Sequence, residues 1–280
     1  MEADMTDQDR GMSSVDRPRA QHQIDTKSAH PARRYNYWLG GKDHFAADRE
    51  SGDAIAALFP TVRLAAQENR AFMRRAVTYL SREAGVRQFL DIGTGIPAPD
   101  NTHEIAQSLA PESRVVYVDN DPIVLSHARA LLNSSSEGAT SYLEADIRDH
   151  ERILSDTYVR STLDFSQPVG LLLIAILHFI SPTDDPYRVV GQLTNALPAG
   201  SYLVASHATA DFAPSQPTIT GPVAGSIHTR SKEEIRGFFE GMEIVSPGIV
   251  ATSDWRPDGG SDPRPEPKDI QMYGAVGRIS

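Results

Sequence analysis

The length, composition and charge of the chain exclude several classes of protein. Its 280 residues, 40% of them hydrophobic and none of them cysteine, fit one large domain with extensions and rule out a disulfide framework or a thiolate metal site. The net charge of −10 and the lack of an apolar run long enough to span a membrane lead us to expect a cytoplasmic protein that binds neither duplex nucleic acid nor membrane.

The amino-terminal part of the chain contains no predicted strand. Residues 1–28 are polar and lack an apolar period, which predicts a disordered tail. Residues 29–85 are predicted to form a helical cap, with two short helices on either side of Gly40-Gly41 and one long helix after them. The long helix is indicated by apolar residues that recur at helical spacing from Val62 to Leu80.

The cap contains aromatic and charged side chains that either dock its helices on the core or cover a bound ligand as a lid. A glycine pair is costly to order unless the segment closes over something, so we expect this segment to lie near a ligand. The candidate lid residues are Tyr35, Tyr37, Lys42 and Asp43. Three arginines of the long helix, Arg70, Arg74 and Arg75, are interpreted as a solvated face.

A strand followed by a glycine turn marks the predicted ligand site. Gln88–Ile92 is an apolar run broken by one carboxylate, Asp91, and it is followed by Gly93 and Gly95. Glycine permits a tight turn and lets the backbone approach a ligand that a Cβ would obstruct. In an open α/β sheet, a cofactor binds at the carboxyl end of such a strand.

Two kinds of cofactor are compatible with this turn. The spacing from Gly93 to Ala98 satisfies the dinucleotide fingerprint, which requires a helix N-terminus close to the pyrophosphate. Pro97 and Pro99 intervene, and the best helix start is Asn101, with Glu104 completing a capping box. The helix dipole is therefore set back from the turn. This favours S-adenosylmethionine, which has no phosphate, over a nicotinamide dinucleotide.

Strands and helices alternate along the rest of the chain. Arg114–Asp119 and Tyr142–Ile147 are predicted strands with carboxylates at their ends, and Val169–Leu177 is an apolar run typical of a buried parallel strand. The other predicted elements are a helix from Pro186 to Leu197, a strand at Tyr202–Ser206, a helix capped by Ser231, and final strands at Glu243–Val250 and Ile270–Val276. The alternation predicts an α/β fold with a Rossmann-like, seven-stranded, mostly parallel sheet, helices on both faces and a terminal antiparallel hairpin.

This order of elements resembles the class I methyltransferase fold. More narrowly, residues 30–280 resemble an actinobacterial family of S-adenosylmethionine-dependent methyltransferases that was formerly a domain of unknown function. The motifs that carry the resemblance are Arg34–Arg49, Asp91–Gly95, Asp100–Glu104, Val118–Pro122, Leu177–Phe179, Pro198–Leu203 and Ser206–Thr209. The resemblance implies that residues 86–280 form the domain that binds S-adenosylmethionine, and it implies no particular methyl acceptor.

The strand ends and the resemblance together predict where the cofactor binds. We expect Asp119 to accept hydrogen bonds from both ribose hydroxyls, Asp146 to accept one from the adenine amino group, and Asp91 to attract the ammonium of the amino-acid tail. The predicted cofactor-binding residues are Asp91, Gly93, Thr94, Gly95, Asp119, Asn120, Asp146, Ile147 and Ala175.

Two histidines are candidates for a role in methyl transfer. His178 follows the central strand, where the methyl group should point, and it either acts as a base or packs to orient a loop. His207 is the second candidate, as a base or as a residue of the acceptor pocket. No histidine spacing supports a metal site. The predicted activity is methyl transfer to a small molecule, and the alternatives are a non-catalytic S-adenosylmethionine-binding regulator and a nicotinamide-dependent reductase.

Overall fold

A computed structural model of the chain describes residues 24–131, 134–213, 227–259 and 264–280, and residues 1–23 of the predicted tail lie outside these ranges. The strands are β1 Gln88–Ile92, β2 Arg114–Asp119, β3 Ala139–Glu144, β4 Gly170–Ile174, β5 Tyr202–Ala208, β6 Met242–Ile244, β7 Val250–Ala251 and β8 Met272–Ile279. The helices are α1 Pro31–Trp38, α2 Ala46–Leu58, α3 Val62–Arg82, α4 Thr102–Leu109, α5 Pro122–Leu131, α6 His150–Ser155, α7 Thr157–Thr162, α8 Pro186–Asn195, α9 Lys232–Arg236 and α10 Pro267–Ile270.

All the described strands belong to one sheet. The strand order is β3-β2-β1-β4-β5-β8-β6, and β7 also pairs with β8. Strands β1 to β5 are parallel, whereas β8 runs antiparallel to β5, β6 and β7. The predicted α/β fold, with a mostly parallel sheet and antiparallel terminal strands, is therefore confirmed. The sheet has eight described strands and not the predicted seven, because one predicted strand is divided into β6 and β7. The strand order reverses between β1 and β4, which is where ligands bind in sheets of this kind.

Apolar side chains cover both faces of the sheet. On one face Leu90 and Ile92 belong to a core that includes Val189 and Leu193 of α8. On the other face Phe89 belongs to a second core formed with side chains of α3 and α4. Side chains of a strand alternate between faces, so Asp91 lies on the side of α3 and α4. Alternation along β1 therefore puts the Asp91 carboxylate on the same face of the sheet as Phe89.

Two predicted strands differ from the observed ones for reasons visible in the backbone: one ends early and the other is divided. The run Val169–Leu177 leaves the sheet after Ile174, because Ala175 adopts a left-handed conformation with φ of 53°. The predicted strand Glu243–Val250 is divided into β6 and β7, because Pro247 has no N–H to donate and Gly248 has φ of 98°. The helices α6 and α7 were not predicted.

The cap is fastened to the sheet by a buried charge cluster. Nε of Arg33 donates to a carboxylate oxygen of Asp121 at 3.0 Å, and Nδ1 of His30 lies 3.1 Å from the same oxygen. The backbone N–H of His30 donates to Asp48 at 2.8 Å, and Nη1 of Arg33 lies 3.8 Å from that carboxylate. These contacts join α1 and α2 to the start of α5. In the part of the chain that the structure describes, no helix is long and apolar enough to cross a bilayer.

Candidate active site

A cavity opens at the carboxyl ends of the parallel strands and continues beneath the cap. Its volume is about 390 Å³, within the range of natural small-molecule sites. One part, the strand-end compartment, is lined by all nine predicted cofactor residues: Asp91, Gly93, Thr94, Gly95, Asp119, Asn120, Asp146, Ile147 and Ala175. The other part, the cap compartment, is lined by side chains of α1–α3 and by the ends of β5 and β8: Arg34, Trp38, Ile55, Phe59, Val62, Ala65, Ala208, Thr209, Gln271 and Met272.

The glycine turn after β1 borders the cavity, which is lined by Gly93, Thr94 and Gly95. Gly93 has φ of 75°, and its N–H donates to the carbonyl of Val118 at 2.8 Å. A Cβ at Gly93 would lie 2.3 Å from Ile176, so no larger residue fits there without rearrangement. Gly95 has φ of 70°, and no atom lies within 4 Å of the position of its Cβ. The turn therefore leaves open space beside Gly95 that a ligand can occupy.

Asp91 is a buried carboxylate at the floor of the turn. It accepts a hydrogen bond of 2.7 Å from the hydroxyl of Thr102, the first residue of α4. Burial raises the pKa of Asp91 to about 6, and the Thr102 hydrogen bond and the charge of Arg70 act against that rise. A cationic group bound beside Asp91 would favour the ionised form.

Asp119 is held in a fixed orientation by two backbone donors. The N–H of Gly95 donates to one carboxylate oxygen at 2.8 Å, and the N–H of Asp121 donates to the other at 2.9 Å. Burial raises the pKa of Asp119, and these two hydrogen bonds act against the rise. Each oxygen can accept a second hydrogen bond, so the carboxylate can receive two hydroxyl donors from the cavity.

Asp146 lies in an ionic cluster after β3. Arg148 donates to both carboxylate oxygens at 2.7 Å, and the Asn120 side-chain amide donates to one of them at 3.0 Å. The hydrogen bonds from the Arg148 side chain are the main reason that the pKa of Asp146 is lowered. The next residue, Ile147, is buried and also lines the cavity.

The segment after β4 brings His178 to the boundary between the two compartments. The N–H of Ala175 donates to the hydroxyl of Ser206 at 2.9 Å, which holds the left-handed residue in place. His178 is buried and lines the cavity, and its Nδ1 accepts a long hydrogen bond, 3.4 Å, from the N–H of Ala208. Burial, with smaller effects of neighbouring charges, lowers the pKa of His178 well below its ordinary value. The ring is therefore neutral near pH 7.

His207 does not line the cavity. Its Nδ1 donates to the carbonyl of Ala208 at 2.7 Å, and its Nε2 accepts a hydrogen bond of 2.8 Å from Arg230. Its ring packs on Phe238, with 5.9 Å between the ring centroids. Both ring nitrogens are thus occupied within the protein, and burial lowers the pKa of His207 to about 3. The structure supports packing, and not acceptor contact, for this side chain.

Of the four candidate lid residues, only Tyr35 lines the cavity. Tyr37 donates to the Asp53 carboxylate at 2.7 Å, Lys42 is exposed, and Asp43 lies 3.6 Å from the His127 ring. The Gly40-Gly41 pair lies between two short helices, as predicted. Gly40 has φ of 81°, and a Cβ on Gly41 would lie 2.3 Å from the Asn36 side chain. The pair makes the close turn between α1 and α2.

Two residues of α3 were missed as site residues. Asn69 is fully buried and lines the cavity; its amide donates to the Tyr35 hydroxyl at 2.9 Å, and its Oδ1 has no hydrogen-bond partner among the described residues. Arg70 also lines the cavity and donates to the carbonyls of Pro99 and Asp100, both at 2.9 Å. The sequence feature that could have indicated this part of the site is Asn69 itself, because it is a polar residue on the apolar face of a helix.

The interpretation of three arginines as a solvated face is wrong for Arg70, which lines the cavity, and for Arg75. Arg75 is buried, and it donates to the carbonyls of Trp255 at 2.9 Å and Thr252 at 2.7 Å. Arg74 is half-buried and pairs with Asp258. Buried Arg75 thus secures the segment between β7 and β8.

The hydrogen-bonding and charged groups that line the cavity suit S-adenosylmethionine. A carboxylate with two free acceptor positions, Asp119, can receive a ribose diol. Asp91 and the unpartnered Oδ1 of Asn69 offer acceptors for an ammonium, and Arg70 offers a positive charge for a carboxylate. The helix that follows the glycine turn, α4, begins only at Thr102, seven residues beyond Gly95, so its N-terminus is set back from the turn. This is the arrangement expected for a ligand without a pyrophosphate.

Comparison with known proteins agrees with this geometry. The profile of a protein family described as S-adenosyl methyltransferase matches residues 17–280. A DUF574 family protein of Streptomyces avermitilis is 50% identical, with a TM-score of 0.88 over 92% of this chain and 100% of that chain. A Thermobifida fusca protein assigned as a methyltransferase is 41% identical, with a TM-score of 0.83 over 91% of this chain and 97% of that chain. No protein of curated function matches the sequence.

Proposed function

Because the chain belongs to the S-adenosyl methyltransferase family, and so uses S-adenosylmethionine, we propose that it transfers the methyl group to a small molecule held in the cap compartment. The observation that carries this proposal is the continuity of the cavity. Its strand-end compartment has the hydrogen-bonding groups for the cofactor, and its cap compartment is mainly apolar and open to it. A small acceptor bound there would meet the methyl group near His178.

Each strand end contributes a different contact in this proposal. Asp119 accepts hydrogen bonds from the ribose diol, and its two backbone donors keep its oxygens aimed at the cavity. Asp91 attracts the ammonium of the amino-acid tail, and Arg70 attracts the carboxylate. Asp146, oriented by Arg148, together with Ile147 borders the adenine. The bound cofactor supplies a methyl group attached to a sulfonium sulfur, and the rest of the cofactor is the leaving group.

The cap excludes water from the reaction in this proposal. Tyr35 donates to the carbonyl of Ala66 at 2.9 Å and accepts from Asn69, so α1 is fixed against α3 at the cavity wall. Methyl transfer depends on in-line positioning, which a closed apolar pocket provides. His178 borders the acceptor and orients it.

Calorimetry with a matched glycine pair tests the cofactor site. The protein is expected to bind S-adenosylmethionine and S-adenosylhomocysteine, and not nicotinamide dinucleotides. Gly95→Ala should weaken that binding at least tenfold, because the new methyl group occupies the open space of the turn. Gly85→Ala is the control: it imposes the same strain at φ of 71° and also has open space, but it lies outside the cavity. Binding of a dinucleotide alone, or equal effects of the two variants, would contradict the proposal.

A further inference from the structure

The charge distribution of the cavity is uneven. Among the described residues that line it, the carboxylates are Asp91, Asp119 and Asp146, and all three belong to the strand-end compartment. The cap compartment has an apolar wall formed by side chains such as Trp38, Ile55, Phe59, Val62 and Met272. An acceptor there is surrounded by apolar surface and meets no negative side chain of the described residues.

One buried cation borders the cap compartment. Arg34 of α1 is only 3% exposed and lines the cavity, and its Nη1 donates to the Ser51 hydroxyl at 3.2 Å. Arg34 and His178 line the same cavity, and the charge of Arg34 adds a minor contribution to the lowering of the His178 pKa, which is caused mainly by burial. The buried carboxylate of Asp48 also acts on the Arg34 guanidinium, but it does not line the cavity. Within the apolar cap compartment, the positive charge of Arg34 favours a negative ligand group over a positive one, since a low dielectric strengthens both attraction and repulsion.

His178 is poorly suited to remove a proton from the acceptor. Its Nδ1 accepts the N–H of Ala208, so the neutral ring holds its proton on Nε2. In that tautomer the ring donates a hydrogen bond to an acceptor atom and does not take a proton from it. The acceptor therefore needs a group acidic enough to ionise without a strong base.

On the basis of the proposed function, we propose that the methyl acceptor is an apolar oxygen acid, such as a phenol or a carboxylic acid, which is methylated on its oxyanion beside Arg34. The acid gives its proton to solvent water as it ionises. A lone pair of the oxyanion then forms the new O–CH₃ bond while the C–S⁺ bond breaks and its electron pair stays on sulfur. The products are a neutral ether or ester and S-adenosylhomocysteine, so charge and atoms balance. His178 and Arg34 stabilise the oxyanion in the ground state and position it.

Three naphthalene probes of similar shape and different charge test this inference in the wild-type protein saturated with S-adenosylhomocysteine. 2-Naphthoate is expected to bind at least tenfold more tightly than 2-naphthylmethylammonium. With S-adenosylmethionine present, an O-methyl product is expected from 2-naphthoate or 2-naphthol, and the product formed distinguishes a carboxylic acid from a phenol. Equal or tighter binding of the ammonium, binding of none of the probes, or an N-methyl product would overturn the inference.

A charge-removing variant connects the selectivity to one residue. Arg34→Met is expected to remove the preference for 2-naphthoate while the affinity for S-adenosylhomocysteine changes less than threefold. The control is Arg49→Met, an exposed arginine outside the cavity, which should keep the preference. If Arg34→Met does not fold, the wild-type selectivity still decides. If S-adenosylhomocysteine itself does not bind, the proposed function fails together with the inference; if it binds and the ammonium is preferred, only the inference fails.

Discussion

At the scale of single residues, the site is built around carboxylates that are buried before any ligand arrives. Asp119 is 5% exposed and its two oxygens are each held by one backbone N–H. Burial of a carboxylate is costly unless donors compensate for lost water. The chain provides two such donors, and the remaining acceptor capacity faces the cavity. The arrangement is preorganised for hydroxyl donors.

Replacing Asp119 with asparagine should weaken binding of S-adenosylmethionine by roughly 10- to 150-fold, which corresponds to about 1.5–3 kcal/mol. The variant retains one acceptor oxygen but loses the charge that strengthens hydrogen bonds to the ribose. Isothermal titration calorimetry measures the change. Asp156→Asn is the control, because Asp156 caps α7 away from the cavity and asparagine caps equally well. An unchanged dissociation constant for Asp119→Asn would remove this residue from the ribose site.

Binding of the cofactor should tighten as the pH rises through 6. The pKa of Asp91 is about 6 in the free protein, and a bound ammonium lowers it by attraction. Below pH 6 binding must release the proton of Asp91, so the apparent dissociation constant rises by up to tenfold per pH unit. Tyr117, which also interacts with Asp91, keeps its proton in this range, because burial raises its pKa well above the ordinary value.

Titrations between pH 5 and 7 check this dependence. Asp91→Asn should bind more weakly at pH 7 and lose the pH slope, since asparagine does not titrate. A slope that persists in Asp91→Asn would assign the proton to another group.

At the scale of elements, α3 serves the core and the cavity at the same time. Its apolar face was predicted correctly from Val62 to Leu80, because periodicity reports burial directly. Periodicity does not report which buried position faces a cavity, so Asn69, which lies on this face, was not predicted as a site residue. Arg75 was missed for a related reason: its partners are two backbone carbonyls about 180 residues away, and these leave no mark in the local sequence.

The strands also show that the local sequence predicts some element bounds and misses others. Strands β1 and β2 were predicted with the observed bounds, since each is a short apolar run bordered by turn residues. The end of β4 was missed, because the left-handed conformation of Ala175 is imposed by the hydrogen bond from its N–H to Ser206. The positions of the nine predicted cofactor residues around one cavity follow from the parallel topology, which collects the strand ends at one edge.

Cofactor binding should protect α1 from hydrogen exchange and leave the following segment unchanged. Tyr35 and Arg34 line the cavity, whereas Lys42 and Asp43 do not. We therefore expect slower exchange of amides in Pro31–Trp38 when S-adenosylmethionine is added, and no change in residues 40–45. Mass spectrometry of the two peptides measures this. Protection of both peptides would indicate a larger lid, and protection of neither would exclude α1 from the site.

At the scale of the whole molecule, the cap depends on the buried pair of Arg33 and Asp121. Arg33→Met should lower the free energy of unfolding by about 3–5 kcal/mol, because it removes the guanidinium that pairs with the buried Asp121 carboxylate and leaves only the His30 ring beside that charge. Adding Asp121→Asn should recover a large part of the loss, since the unpaired charge is removed. Urea denaturation measures both. The control is Arg63→Met, which breaks an exposed pair with Asp53 and should cost less than about 1 kcal/mol. No recovery in the double variant would contradict the charge argument.

Synthesis on the ribosome delivers β8 after every other described strand, although β8 pairs with three of them. A nascent chain that has reached β5 already contains the cap, the glycine turn and the three carboxylates that line the cavity among the described residues. It lacks Met272, which lines the cap compartment, and the edge of β5 that pairs with β8 is still unpaired. Such an edge invites pairing with other chains. In the growing polypeptide the residues of the strand-end compartment are thus present early, while the wall of the cap compartment is completed only after β8 has been synthesised.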